Sequence, residues 1–175
     1  MREIIKDRAI ITDHWHLLKL AEGETAATVT VPAGKQIVPL TVWLAQKSVL
    51  TSRADIGVWI ASDERADALK DDVATLPLIA VDFPVFSDGR GYSIAFNLRM
   101  RLHFQGELRA IGDVLRDQLF YLQRVGFNAF ATREDRSIQD ALKGLTDFSD
   151  VYQTSWDQKL PLYRRAERPS AQEPQ

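Results

Sequence analysis

The chain has 175 residues, 45% hydrophobic and 26% charged, with a formal net charge of -2. That is enough for one sizeable core and too acidic and unclustered for a nucleic-acid-binding surface. No apolar run approaches the roughly 18 residues of a membrane span. Cysteine is absent, which excludes disulfides, thiol nucleophiles, cysteine-ligated zinc and cysteine-held iron–sulfur clusters. The start, MREIIKDRAIITD, lacks the long apolar stretch of a secretory signal, so a cytoplasmic location is expected.

In chain order, residues 8–20 and 26–32 read as two strands joined around AEGE, an antiparallel hairpin. His14 and His16 stand two apart on the first of them, which on a strand puts both on one face. The bland reading is an edge strand, the sharp one a pair of metal ligands; with no further ligands in view, no metal is expected. PLTVWLAQKSVL (39–50) reads as a helix with Pro39 near its first turn. IGVWIA (56–61) is a strand, and 62–76 a helix with Ser62 or Asp63 at its N-cap. LIAVDF (78–83) is a strand bounded by Pro77 and Pro84. Tyr92, Ala95, Leu98 and Leu102 recur at helical spacing, predicting a helix over about 91–104. ELRAIG (107–112) is a strand, 113–125 a helix stopped by Gly126, FNAFAT (127–132) a strand and 137–145 a short helix. Beyond residue 148 aromatics occur without a period, which suggests an arm packed on the domain or on a partner. The polar tail 166–175 is expected to be disordered.

Asp63, Asp88 and Asp113 lie 25 residues apart, each where a strand hands over to a helix. One strand, one helix and two short loops need about that length, and each aspartate can cap its helix. The beat predicts consecutive βα units, hence a parallel sheet with right-handed crossovers. The expected fold is a single α/β domain over 1–165, three-layered, with about four parallel strands preceded by an N-terminal β-hairpin (1–35) and a helix. The βα core is placed at 36–147 and the aromatic arm at 148–165. A half-barrel of the same units is the alternative, since periodicity does not set how far a sheet curls. In either arrangement the strand-to-helix turns share one rim, where open α/β sheets bind ligands.

That rim carries the candidate site residues Asp88, Gly89, Arg90, Gly91, Tyr92, Arg109, Asp113, Arg116 and Arg133. Eight arginines against five acids lie between Arg90 and Arg136, and a guanidinium fork matches phosphate, sulfate or carboxylate oxygens. SDGRGYSIA reads either as a capped turn or as a cradle in which backbone N–H groups and Arg90 hold an anion at a helix start. The dinucleotide pattern G-x-G-x-x-G is incomplete, because Ile94 stands at the third glycine. Arg116, three residues after Asp113, reads as its local ion-pair partner. Alternatively, an acid of this edge works as acid or base beside an arginine clamp.

The block FP-x-F-x-DGRGYSIA, then LR-x-R, then GELRAIGDVLRDQLFYLQR-x-GF-x-AF, resembles the signature of a bacterial family known as domain of unknown function 934. IVPL-x-x-W (Ile37 to Trp43) and VYQ (Val151 to Gln153) extend the likeness over most of residues 10–165. The resemblance implies a place beside an assimilatory sulfite reductase haemoprotein, whose gene commonly neighbours those of the family, and members carry an oxidoreductase label on that ground. It transfers no catalytic residue. Two functions follow as expectations. One is an accessory protein that docks on the reductase through the arginine-bearing edge and the aromatic tail (Tyr152, Trp156, Tyr163). The other is an oxidoreductase holding a flavin or nicotinamide at the strand-end edge. A small-anion enzyme using Asp88 or Asp113 is a weaker third reading.

Overall fold

The computed structural model describes residues 2–165; the tail 166–175, expected to be disordered, lies outside the described residues. Eight strands form one sheet: β1 (Glu3–Lys6), β2 (Ala9–Thr12), β3 (His16–Leu17), β4 (Gln36–Pro39), β5 (Ile56–Ile60), β6 (Leu78–Phe83), β7 (Glu107–Gly112) and β8 (Ala129–Phe130). Their order is β2-β1-β8-β7-β6-β5-β4-β3. β3 to β8 are parallel and stand in chain order, and β1 pairs antiparallel with both β2 and β8. The helices are α1 (Leu40–Leu50), α2 (Arg90–Met100), α3 (Arg116–Val125), α4 (Ile138–Lys143) and the short α5 (Leu162–Arg165). Among the described residues no helix is long and apolar enough to cross a membrane.

Consecutive right-handed crossovers between neighbouring strands place α1, α2 and α3 on the same face, and the sheet curls away from them. Alternation along the strands shows this directly. Val58, Ile79, Val81, Leu108 and Phe130 pack with Trp43, Leu98 and Leu122 of the helices. The opposite parity, Ile4, Ile37, Leu78, Ala80, Ile111 and Ala131, forms a second core without helical residues, joined by Trp15, Leu17 and Trp59. The α/β class with consecutive parallel βα units is therefore the one expected, in its half-barrel form: the helices make one layer outside a curled sheet, and six strands run parallel.

The two edge strands are nearly continuous in the chain. Asp13 N–H donates to Arg2 carbonyl (2.8 Å) on the β1 side, whereas His16 N–H donates to Lys35 (3.0 Å) and Leu18 N–H to Ile37 (2.9 Å) on the β4 side. One extended segment, 9–18, thus supplies both edge strands of the half-barrel, β2 of four residues and β3 of two, and short edges recruit another strand poorly. Asp13 makes the bend: its Oδ1 accepts from Trp15 N–H (3.1 Å), while its Oδ2 accepts from Arg109 across the interior (2.8 Å).

Three elements differ from the sequence reading. The N-terminal hairpin is real but earlier, β1 with β2, turning at Asp7 (φ 47) and Arg8 (φ 64). Two left-handed residues match the strand twist of a tight hairpin, though without the usual Asn-Gly signal. Residues 26–32 form no strand. Val29 is buried and Val31 packs beside it, and the Gln46 amide holds the carbonyls of Ala26 (2.9 Å) and Val29 (2.8 Å) in place of a ladder. The helix expected over 62–76 is a 3-10 turn, Ala66–Leu69, followed by further turns. Ala66, Leu69, Val73 and Leu76 still reach the core, because successive tight turns present nearly the same spacing. Asp72 anchors them, accepting from Trp43 Nε1 (3.0 Å) and pairing with Lys47 (2.7 Å).

The remaining units fall close to expectation. Gly126 ends α3 in the left-handed region (φ 115), and Ser137 caps α4 by accepting from Asp140 N–H. Beyond α4, residues 153–157 lie on the ends of α2 and α3. Arg124 donates to Gln153 carbonyl (2.6 Å) and Asp157 (2.7 Å), and Ser155 Oγ donates to Arg124 carbonyl (2.7 Å).

Candidate functional site

Since β4 to β8 run the same way, the loops leaving β5, β6, β7 and β8 gather at one rim, as the aspartate beat implied. Asp88, Arg90, Asp113 and Arg133 there are already engaged with partners. Arg90 grips Asp88 with Nε (2.9 Å) and Nη2 (2.7 Å), and Nη2 also donates to Ser62 Oγ (2.8 Å). That guanidinium and the Ser62 hydroxyl hold the Asp88 carboxyl well below the usual carboxylate range, and Asp88 in turn raises Arg90. Asp88 Oδ1 also accepts from Arg90 N–H (3.1 Å), so a carboxylate occupies the start of α2 where an anion would be held.

Asp113 does not cap α3. Its Oδ2 accepts from Phe86 N–H (2.9 Å), and its Oδ1 pairs with Arg133 (3.1 Å), whose remaining nitrogens take Asp135. Three neighbouring loops thereby brace one another, and both carboxylates raise the pKa of Arg133. Gln118 instead caps α3, its Oε1 accepting from Leu115 N–H (2.9 Å). Arg116, expected to pair with Asp113, reaches Asp147 (2.9 Å) and Asp140 (3.9 Å), because Asp113 faces the β6 loop. Tyr92 packs edge-on against Phe83 at 5.6 Å, and burial, then the Asp117 charge, push its hydroxyl up.

The glycines have separate explanations. A Cβ on Gly91 would stand 2.5 Å from the Phe83 ring, so this glycine lets α2 lie directly on the strand. Gly89 faces open space. Arg109 stands apart from the rim: it points inward from the middle of β7, almost fully buried, pairing with Asp13 (2.8 Å) and Glu107 (2.6 Å), while Lys6 adds a second partner for Glu107 (2.8 Å). This network fills the amino-terminal end of the interior, and each buried charge has a partner, as burial requires.

The carboxyl-terminal mouth is different. A recess of about 380 Å³ opens there between Leu17, Pro39, Trp59 and Ile111, with Lys19, Glu64 and Asp82 at its wall. Asp82 follows Leu78 and Ala80 on the inward parity of β6, one step from the strand end. Among the described residues its carboxylate makes no hydrogen bond or ion pair. Burial pushes its pKa up, opposed by Lys19 and assisted by Asp88. Gly112, in the left-handed region (φ +91), is the neighbour that leaves room: a Cβ there would lie 2.7 Å from Asp82 Oδ1. Glu64 accepts from Ala61 N–H (2.7 Å), and burial, with Asp63 beside it, raises its pKa as well. Trp59 spends its indole N–H on Leu18 carbonyl (3.0 Å), so it offers the recess hydrocarbon surface.

Half-buried carboxyls with raised pKa values in a concave, largely apolar site at the strand ends can bind a polar ligand or move its proton. Asp82, Glu64, Lys19 and Trp59 were not singled out by the sequence reading. The available signal was Asp82 itself, the one charged residue of LIAVDF, in step with Leu78 and Ala80.

The model of a bacterial family described as protein of unknown function (DUF934) matches residues 57–163. No curated protein and no solved structure matches the chain.

Proposed function

This chain belongs to the DUF934 family, and from that premise we propose that it is a small-molecule-binding accessory protein of assimilatory sulfite reduction, acting in the cytoplasm beside the sulfite reductase haemoprotein. The observation that carries the binding role is the recess at the half-barrel mouth, whose Asp82 carboxylate has no partner among the described residues. Its volume lies in the range of small organic ligand sites, roughly 300–1,000 Å³. The rim arginines support an accessory role over sulfite chemistry: Arg90, Arg116 and Arg133 each already hold carboxylates. Tyr152 and Tyr163 are 69% and 61% exposed, aromatic surface of the kind that partners cover. The pathway rests on the family resemblance.

The test is sedimentation of the full chain with the purified reductase over a range of salt concentrations, followed by Tyr152→Ala and Tyr163→Ala. A complex weakened by the tyrosine variants is expected. A chain that sediments alone at every salt concentration refutes the partnership. The oxidoreductase reading draws on one feature, the indole-walled recess at the strand ends, which suits a planar ring. Flavin absorbance on the freshly purified protein, or saturable nicotinamide binding at Trp59, would establish that reading in place of the accessory one.

A further inference from the structure

We propose that the ligand of the mouth is a small organic ammonium ion, seated with its N–H groups toward Asp82 and Glu64 and its apolar body against Trp59. This rests on the reading that the mouth holds a ligand, and it adds the ligand's charge. The wall carries two carboxylates and one cation, Lys19, and so has a net charge of one negative unit when all are ionised. Asp82 presents only acceptors when ionised and has none of its capacity used by the described residues; Glu64 has one oxygen engaged, with Ala61 N–H. Lys19 is the cation at the wall that could answer an anionic ligand, and the two carboxylates outnumber it; the nearby arginines are engaged elsewhere, Arg90 on Asp88 and Ser62, Arg133 on Asp113 and Asp135, and Arg109 on Asp13 and Glu107 at the far end of the interior.

The apolar part of the recess supplies the second requirement. Leu17, Pro39, Ile111 and the indole of Trp59 surround the carboxylates. An electron-rich ring beside a carboxylate favours a cation over a neutral molecule of the same shape, and removal of the ammonium group's water is offset only where such acceptors wait. Gly112 keeps the approach to Asp82 open, since any side chain there would crowd the carboxylate. Lys19 stands exposed at the lip, where it repels a second cation and leaves the inner position to one.

The experiment titrates the isotope-labelled full chain with three probes of one shape: benzylammonium, benzyl alcohol and phenylacetate, followed by NMR at the Trp59 indole and the Gly112 amide. Benzylammonium is expected to shift both signals and to bind at least about tenfold more tightly than the other two, a difference of about 1.4 kcal/mol. Asp82→Asn is expected to remove that preference, and Lys19→Ala to leave it or strengthen it. Glu64→Gln serves as the second variant should Asp82→Asn fail to give a dispersed spectrum, and it is expected to weaken the cation alone. Phenylacetate binding at Trp59 that Lys19→Ala abolishes would overturn the ammonium assignment while upholding a ligand at the mouth. Equal binding of benzyl alcohol would do the same. Failure of all three probes to move Trp59 would overturn the mouth as a ligand site altogether.

Discussion

Arg99 offers the sharpest test of how this fold is held. It lies in the last turn of α2 and is 4% exposed, with no carboxylate within ion-pairing distance among the described residues. Its fork reaches neutral acceptors instead: Nε donates to Gly126 carbonyl (2.9 Å), Nη1 to Phe104 (2.6 Å) and Gly106 (3.0 Å) carbonyls, and Nη2 to Asn128 Oδ1 (3.2 Å). The guanidinium also lies 5.3 Å from the Phe104 ring and 5.5 Å from Trp156. Burial depresses its pKa to about 10, which leaves it charged at neutral pH. Arg99→Met would strip three carbonyls of their partner, at about 1–3 kcal/mol for each orphaned acceptor. Relief of the buried charge offsets part of that, for a net loss of about 3 kcal/mol. At this chain length that lowers Tm by roughly 6–12 °C. Urea unfolding followed by circular dichroism should show a lower midpoint with an unchanged slope. Arg99→Lys should lose nearly as much, since an ammonium has no planar fork to span the acceptors of two segments, 104–106 and 126–128. A loss below about 1 kcal/mol for Arg99→Met, or full rescue by lysine, would refute the staple.

The glycines of the DGRG turn should separate cleanly. Gly91→Ala drives a methyl into the Phe83 ring, itself packed between Tyr92 and Phe127, and should cost about 1–3 kcal/mol; Gly89→Ala meets nothing within 4 Å and should be neutral or slightly stabilising in thermal melts. Arg109→Met leaves Asp13 buried without its partner and should cost about 3–5 kcal/mol, measured by denaturant unfolding. Asp82 has a folded pKa raised above its unfolded value, so the native state binds that proton more tightly and its contribution is lost as pH rises through the folded pKa. Asp82→Asn should therefore melt higher than the parent at neutral pH, with the gain vanishing towards acid; equal melting temperatures at neutral pH would contradict the burial argument.

The βα core was legible because its signals are local and mutually consistent. LIAVDF between two prolines and ELRAIG before a leucine-spaced helix each fix an element's type, and their 25-residue recurrence fixes the direction of the next strand. Residues 62–76 were misread because amphipathic spacing is shared by a helix and by consecutive tight turns, and only the Asp72 contacts with Trp43 and Lys47 decide between them. The hairpin was displaced because Asp7-Arg8 makes its turn without glycine or asparagine. At the rim the strand order brings the loops of Asp88, Arg90, Asp113 and Arg133 side by side, but sequence could not show that their charges are already engaged, since Arg133 and Asp113 meet across 20 residues. The mouth was invisible for a related reason: Lys19, Glu64 and Asp82 come from three separate segments.

The arrangement of charge in the interior explains why one end of the half-barrel can be a site and the other is not. At the amino-terminal end Lys6, Glu107, Arg109 and Asp13 satisfy one another, and Asp13 does so while turning the segment that ties the sheet edges. A change there disturbs closure of the sheet as well as a salt bridge, so that end is committed to structure. At the carboxyl-terminal end Asp82 is held half-buried without a protein partner, an arrangement that lowers stability at neutral pH. The fold could remove that cost with a neighbouring arginine, yet Asp88, Asp113 and Asp135 hold Arg90 and Arg133, Asp140 and Asp147 hold Arg116, and Arg65 and Arg136 turn to Asp67 and Asp135. Pairing the rim cations among their own acids is what leaves the Asp82 carboxylate open, and an open carboxylate beside an indole is the feature a cationic ligand would complete.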